Sequence, residues 1–363
     1  MAGLLTQILG AVFRIPLGNI IGTDGMAYYQ TAYPVYIFLL VFSTNGAPAA
    51  ISKMTSERIA LGRYAEAHKV FKLSFIFMFL FGLICFSALF FGAEAIVKAL
   101  GNEGAYYSVM AIAPALLFVP IMSVFRGYFQ GMQQMEPTAL SQIIEQSVRV
   151  ATGLSLAVFF LPRGVEIAAA GGSLGGSIGP VVGVAVIAVI YLCRKKKIFA
   201  DITSDKSPAL ESAGSILKTL AIIAVPITIG VSIQPIMNLG DAIFVMNRLQ
   251  DAAGFDYASA KDLYGALTGF AAPIINIPMA MALSMALSMV PAIAAAKSAN
   301  DAEALDNNIN LGLRTSMIIG VPCSFGLMVI AEPIMLLLFP LQAESSAISA
   351  TCLFLLAAGT GAR

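Results

Sequence analysis

The sequence predicts an all-α bundle of membrane-spanning helices, and three observations carry that reading. Hydrophobic residues make up 58% of the 363 and charged residues only 11%, where an average soluble domain has roughly 45–50% and about 25%. Mean hydropathy is +0.86. Apolar runs recur along the chain at the length of about 20 residues that a helix needs to cross a bilayer core of ~30 Å. Lipid supplies no partners for backbone N–H and C=O groups, so apolar runs of this length read as helices that satisfy themselves. The composition excludes an ordinary soluble enzyme, a disordered chain and a nucleic-acid binder. A net charge of +1 points to no acidic partner.

Ten runs qualify, at 2–21, 28–52, 72–100, 105–126, 137–161, 166–193, 215–240, 263–296, 310–339 and 345–361. The first is short. The eighth is long for one span, and Pro273, Pro278 and Pro291 predict breaks in it. The linker after span two carries Lys53, Arg58, Arg63, Lys69 and Lys72, and the one after span six carries Arg194, Lys195, Lys196 and Lys197. Single crossings put both linkers on one side, which the positive-inside rule makes cytoplasmic. The loop around 241–262 is acidic and falls on the other side. The N-terminus is then expected in the cytoplasm.

An internal repeat sets the domain organisation. Pro48-Ala-Ala-Ile-Ser-Lys53 closing span two is echoed by Pro291-Ala-Ile-Ala-Ala-Ala-Lys297, 243 residues later. Ala93-Glu94-Ala95-Ile96 is echoed by Ala331-Glu332-Pro333-Ile334, 238 residues later, and Cys85 and Cys323 occupy the same relative place. Six spans separate the copies, so the repeats run parallel, as in one class of secondary transporter. The expected division is an N-terminal lobe, 1–205, with spans one to six, and a C-terminal lobe, 206–363, with spans seven to ten. The second lobe is expected to be incomplete, with the partners of spans five and six beyond Arg363 and the short first span clipped.

Reactive chemistry is sparse. The four cysteines lie in apolar runs without metal spacing and read as small buried hydrophobes. The one histidine, His68, is assigned to a polar linker, so neither a histidine metal site nor Ser-His-Asp hydrolysis is expected. No phosphate-loop motif of the G-x-x-x-x-G-K-[ST] type occurs. No catalytic residue, metal or cofactor is called for.

The segment Phe125-Arg126-Gly127-Tyr128-Phe129-Gln130-Gly131-Met132, followed by Pro137-Thr138-Ala139-Leu140-Ser141-Gln142 and Glu145-Gln146, resembles a family signature. It is similar to the stage V sporulation protein B and YtgP group of bacterial polysaccharide-biosynthesis membrane proteins. These belong to the MOP exporter superfamily, with MurJ lipid II flippases and MATE drug exporters. Leu9-Gly10-Ala11-Val12-Phe13-Arg14-Ile15-Pro16-Leu17, Tyr33-Pro34 and Ala50-Ile51-Ser52-Lys53 fit the same group. The resemblance implies two six-helix lobes in the bacterial plasma membrane. It also implies outward flipping of undecaprenyl-linked cell-wall precursors.

Ionisable residues inside a membrane are functional hypotheses by default. Arg14 lies about eleven residues into span one, ~17 Å deep at 1.5 Å per residue. It shares a face with Gly3, Gln7, Gly10 and Gly18. It reads either as a pyrophosphate contact or as an arginine paired within the protein. The resemblance to MurJ, whose first, second and eighth helices carry cavity arginines, implies the former. A second arginine of the first helix appears here as Asn19, and the second- and eighth-helix arginines have no match. Span five carries Thr138, Ser141, Gln142, Glu145, Arg149 and Thr152 on one face. Glu145 and Arg149 form an i,i+4 pair, read either as a self-neutralised lock or as a cavity arginine tuned by its carboxylate. Arg126 reads as an interface anchor, or as a cytoplasmic gate or headgroup contact. Gln234, Asn238 and Asp241 on span seven read as a cation or gating site, or as a polar kink. Gly171, Gly172, Gly175, Gly176, Gly179 and Gly183 on span six read as helix-packing surface.

The leading expectation is therefore a flippase for a lipid-linked oligosaccharide of the lipid II type, working by alternating access. Its partners would be the lipid-linked substrate, the bilayer and a coupling ion, sodium or proton; no nucleic acid is expected, and the protein should act as a monomer. A MATE-type drug or cation antiporter is the alternative and should show cavity carboxylates. A membrane glycosyltransferase using prenyl-phosphate sugars is a third, but Asp24 stands alone where a paired acidic motif is wanted.

Overall fold

The computed structural model describes residues 2–203, 205, 211–276, 278–279 and 301–360, and every regular element among them is helical. In order these are α1 (Ala2–Val41), a π-helical turn (Phe42–Gly46), α2 (Ala47–Ala60), α3 (Tyr64–Phe91), α4 (Ala93–Ala99), α5 (Tyr106–Ile112), α6 (Ala115–Gly131), α7 (Glu136–Phe160), α8 (Val165–Thr203) and α9 (Ala213–Asp251). Then come α10 (Tyr257–Gly265), a π-helical turn (Ala266–Ala271), α11 (Ala302–Val329), α12 (Ala331–Leu338) and α13 (Ala343–Thr360). Six helical stretches among the described residues are long and apolar enough to cross a membrane. They are Tyr64–Phe91, Glu103–Gly131, Glu136–Arg163, Val165–Lys196, Ala213–Asp251 and Ala302–Val329. The pair Phe13–Val41 and Ser43–Ala60, bent by 50°, makes a seventh if counted as one span. Most of the eighth predicted span lies outside the described residues, with the Pro291 echo.

The first predicted span is the first half of α1, and the second runs from the rest of α1 through the π turn into α2. Gly22 separates them at φ +68°, ψ −174°, a conformation that costs glycine little because it has no Cβ. Helix ends elsewhere follow the same logic. At the end of α4, Gly101 (φ +66°) allows Asn102 N to donate to Val97 O at 3.1 Å and Gly101 N to Lys98 O at 3.1 Å, a Schellman ending. The end of α6 repeats that pattern with Gln133 at φ +59°. Ser212 and Asp301 cap α9 and α11 by accepting from the amides of Ser215 and Ala304, satisfying N–H groups a helix start leaves orphaned.

The repeat is visible in the fold. A 28-residue α3 breaks at Gly92 and continues as the short α4; a 28-residue α11 breaks at Ile330 and continues as the short α12. Tyr64 to Ala302, Phe91 to Val329 and Ala93 to Ala331 are each 238 residues apart, the displacement of the sequence echo.

Burial is inverted relative to a soluble protein. Ile76, Leu80 and Ile84 of α3, and Ile222, Ile229 and Ile233 of α9, point outward. A strip this apolar is stable only against lipid.

The chain forms two compact units, one of residues 1–13 and 28–260, the other of 14–27 and 261–363. In the first, α7 and α8 are the most extensively packed pair, and α5, α6 and α3 surround them. Phe71, Phe75, Phe125, Tyr128 and Tyr191 interlock there as an aromatic cluster. His68 belongs to it. It lies not in a linker but in α3, buried against Phe71, Tyr128 and Phe199. The helix starts four residues before it, where Arg63 pairs with Glu66 at 3.6 Å. The Phe199 contact, with Ile198 and Ile202 beside Ile59 and Tyr64 around a small cavity, puts both basic linkers at one end of the unit.

In the second unit, the 14–27 stretch of α1 packs on the π turn and α12. Gly18 lies under the stacked rings of Phe270 and Phe339, whose centroids are 4.1 Å apart. Cys85 is buried as expected, but Cys193 is exposed and Cys323 and Cys352 are half-buried; next to lipid a thiol gains nothing by turning inward.

Candidate functional site

α8 presents Gly171, Gly175, Gly179 and Gly183 to α7 at four-residue spacing. A Cβ at Gly179 would lie 2.8 Å from Glu145 O and 3.0 Å from Arg149 Cβ. At Gly175 it would lie 2.6 Å from Gly153 Cα and run into the Arg149 carbonyl. The stripe is packing surface, as small residues on membrane helices usually are. It also decides which side of α7 turns inward: Thr138, Ser141 and Glu145 are buried, and Arg149 emerges at the edge half-buried.

From that edge Arg149 reaches α1. Its Nη2 donates to the Tyr29 hydroxyl at 3.5 Å, and its guanidinium carbon stands 5.8 Å from the centre of the Tyr33 ring. Tyr29 and Tyr33 stack at 5.9 Å, Tyr36 follows at 6.1 Å, and Phe13 packs on Tyr29. Residues 29, 33 and 36 share a helical face, so one side of α1 is a tyrosine ladder. Rings attract a cation through their quadrupoles but do not cancel its charge. Among the described residues no carboxylate lies within salt-bridge distance of Arg149.

The expected Glu145–Arg149 pair is replaced by a different one. Glu145 Oε2 accepts from Arg126 Nη2 at 2.8 Å, and Arg126 Nε donates to Ser141 Oγ at 3.0 Å. Only the short turn Met132–Met135 separates α6 from α7, so the two helices run back past each other and a long arginine on one reaches a carboxylate on the other. Arg126 is therefore turned into the bundle and is no surface anchor. Tyr128 and Phe129 beside it are buried as well. The sequence showed all three charges; their pairing depends on the α6–α7 turn, which carries no charge pattern.

Arg14 belongs to the second unit, is half-buried and has an interaction partner; the side chain of Gln7 lies outside the described residues. Both ends of the Asn19 amide are occupied: Nδ2 donates to Leu338 O at 2.7 Å and to Ile15 O at 3.1 Å, and Oδ1 accepts from Leu341 N at 3.3 Å. Asn19 thereby caps the end of α12. Gln234 donates to Asn238 Oδ1 at 2.9 Å on the exposed side of α9, and Asp241 is exposed one turn further on.

Two networks fasten α9 to the first unit and were missed at the sequence level. At its start, Glu211 pairs with Arg58 at 2.7 Å, the Glu211 carbonyl accepts from Lys69, and Asp205 accepts from Ala65 N at 2.8 Å. At its end, Asn247 and Gln250 donate to the carbonyls of Ala99 and Gly101, each at 3.0 Å. Next to these, Tyr257 donates to Asn102 Oδ1 at 2.7 Å, and Asn102 donates to Thr31 at 2.8 Å. The basic residues of the first network read as topology signals, which hid their carboxylate partners.

Outward-facing apolar helices, a repeated helix pattern and buried charge define a multi-pass membrane protein. The chain belongs to the polysaccharide biosynthesis protein family, whose sequence profile matches residues 1–297. It is 31% identical over 347 residues to the uncharacterized membrane protein YabM of Bacillus subtilis (strain 168), covering 93% of this chain and 62% of that protein. It is 28% identical over 339 residues to stage V sporulation protein B of the same organism, covering 93% and 65%. It is 31% identical over 344 residues to that organism's lipid II flippase MurJ, covering 91% and 62%. The chain thus spans less than two-thirds of the length of these relatives. Among solved structures it resembles an inward-facing multidrug-resistance MATE family transporter of the MOP superfamily, with TM-score 0.76, 18% identity and coverage of 97% of this chain and 76% of that one. It also resembles lipid II flippase MurJ in an inward closed conformation, with TM-score 0.64, 16% identity and coverage of 99% and 72%. These structural likenesses concern the fold.

Proposed function

We propose that the protein is a flippase that moves an undecaprenyl-linked cell-wall or polysaccharide precursor, of the lipid II type, outward across the bacterial plasma membrane by alternating access. The observation that carries this reading is Arg149: a guanidinium in a membrane-spanning helix, held by tyrosines and, among the described residues, left without a carboxylate. Holding a cation in apolar surroundings is costly unless an anion joins it. The planar fork of an arginine matches phosphate oxygens in two-pronged geometry. A cation antiporter would need a carboxylate at this place. The family and the relatives named above favour the same substrate class.

Within this reading Arg149 and Arg126, with Glu145, form the headgroup site on the first unit, Arg14 is a candidate anion contact of the second unit, and Asn19, expected as a substrate contact, serves instead to cap α12. Gln234, Asn238 and Asp241 serve a coupling cation or a gate. Residues 1–205 and 206–363 are two parallel repeats, with α9 of the second packed in the first compact unit, and the N-terminus is cytoplasmic. The chemistry is binding and release, and no bond in the substrate changes.

The test is outward movement of fluorescent lipid II in proteoliposomes carrying the full-length protein. Arg149→Ala should lower the rate about a hundredfold, the scale of losing one strong charge-assisted contact, and Arg149→Lys should recover part of it. A folded Arg149→Ala protein that transports at the wild-type rate would sink the reading.

A further inference from the structure

We propose that Glu145 is an internal counter-anion that competes with bound phosphate for the arginines of this site and so sets how readily the ligand leaves. The inference rests on the anion-site reading of Arg149 and adds a release step to it.

Four observations lead there. The group contains two cations, Arg126 and Arg149, and one carboxylate. Glu145 lies one helical turn before Arg149, the spacing at which side chains on a helix meet. Only its Oε2 is committed, to Arg126. Among the described residues Oε1 has no hydrogen-bond donor, nor is it a sealed-off orphan. Finally, both side chains leave α7 over glycines. A Cβ at Gly183 would stand 3.3 Å from Glu145 Cβ and 3.5 Å from its Cγ, and one at Gly179 would stand 3.0 Å from Arg149 Cβ. A side chain at either position would push on these stems, and glycine leaves them room.

The physical need is clear. A transporter must hold its ligand and then release it, and an arginine stripped of its anion in an apolar setting resists release. A carboxylate one turn away removes that obstacle. With phosphate bound, Arg149 engages the ligand and Glu145 stays on Arg126. As phosphate leaves, Arg149 turns from the Tyr33 face to Oε1, and the two arginines share one carboxylate. The site binds anions in proportion to its one surplus positive charge rather than two.

The decisive variant is Glu145→Gln in the full-length protein, with two readouts: binding of undecaprenyl diphosphate in nanodiscs and turnover of fluorescent lipid II in proteoliposomes. Affinity should rise about tenfold while turnover falls about tenfold, a coupling within the usual range between linked sites. Glu145→Asp should keep wild-type behaviour. A purely structural pair behaves differently: Glu145→Gln would then lower the thermal stability and leave the affinity of the folded protein unchanged or weaker, whereas a lost counter-anion raises it. Wild-type or weaker binding by folded Glu145→Gln, or wild-type turnover in that variant, would overturn the inference. Failure of the underlying anion site is seen separately, as unchanged undecaprenyl diphosphate binding in Arg149→Ala.

Discussion

At the scale of single residues, the informative ones are those whose charge or conformation is costly where it sits. Arg126 and Glu145 are each nearly buried. Removing one partner leaves the other charge uncompensated, so Arg126→Met should cost about 3–5 kcal/mol of stability, and Arg126→Met/Glu145→Met much less. Thermal unfolding in detergent measures both; equal losses would mean that the pair is screened. Gln133 takes a left-handed conformation where α4 ends with glycine. L-residues resist that region, and the unfolded-state entropy of glycine offsets part of the relief. Gln133→Gly should therefore stabilise the protein by about 1 kcal/mol at most. A loss in unfolding temperature would show that the Gln133 side chain contributes something the turn geometry does not.

At the scale of elements, the α7–α8 seam and the two ends of α9 dominate. The seam brings backbone against backbone. Gly175→Leu would drive a side chain into the Arg149 carbonyl and Gly153, costing about 1–3 kcal/mol or more as overpacking and moving Arg149 off the tyrosine ladder. Stability and undecaprenyl diphosphate binding should fall together; full binding in Gly175→Leu would mean that Arg149 is placed by α1 instead. Helix α9 is held by charges at its start and by amides at its end. Arg58→Ala unpairs Glu211 and leaves Glu66 with Arg63 alone. Hydrogen exchange should then speed up in the first turns of α9 while residues 246–251, held by Asn247 and Gln250, keep their protection. Equal acceleration at both ends would show that α9 opens as one unit.

At the scale of the whole molecule, the basic linkers carry the orientation. The 53–72 and 194–197 stretches share one end of the first unit, and the positive-inside rule assigns that end to the cytoplasm. In a variant with its four cysteines replaced by serine, a cysteine at Lys196 should react with a membrane-impermeant maleimide only after permeabilisation. One at Asp251 should react in intact cells. The opposite pattern would invert the topology and, with it, the proposed direction of transport.

The all-helical membrane class was legible in composition alone, because lipid leaves the backbone no other solution for apolar runs of this length. The 238-residue repeat was legible too, since parallel copies of one unit keep the same spacing of breaks and small motifs. The glycine stripe on α8 could be read as packing surface from its four-residue period. Sequence could not show which partner each charge takes. Glu145 is closer in the chain to Arg149 than to Arg126, and helical spacing favours that neighbour. The short turn after α6 folds Arg126 back onto Glu145 and leaves Arg149 among tyrosines 113–120 residues earlier. Asn19 likewise looked like a substituted arginine until α12 brought a helix end to its amide. Hydropathy and periodicity act within one helix and are written along the chain. Ion pairing and hydrogen bonding act between helices, and only their packing decides them.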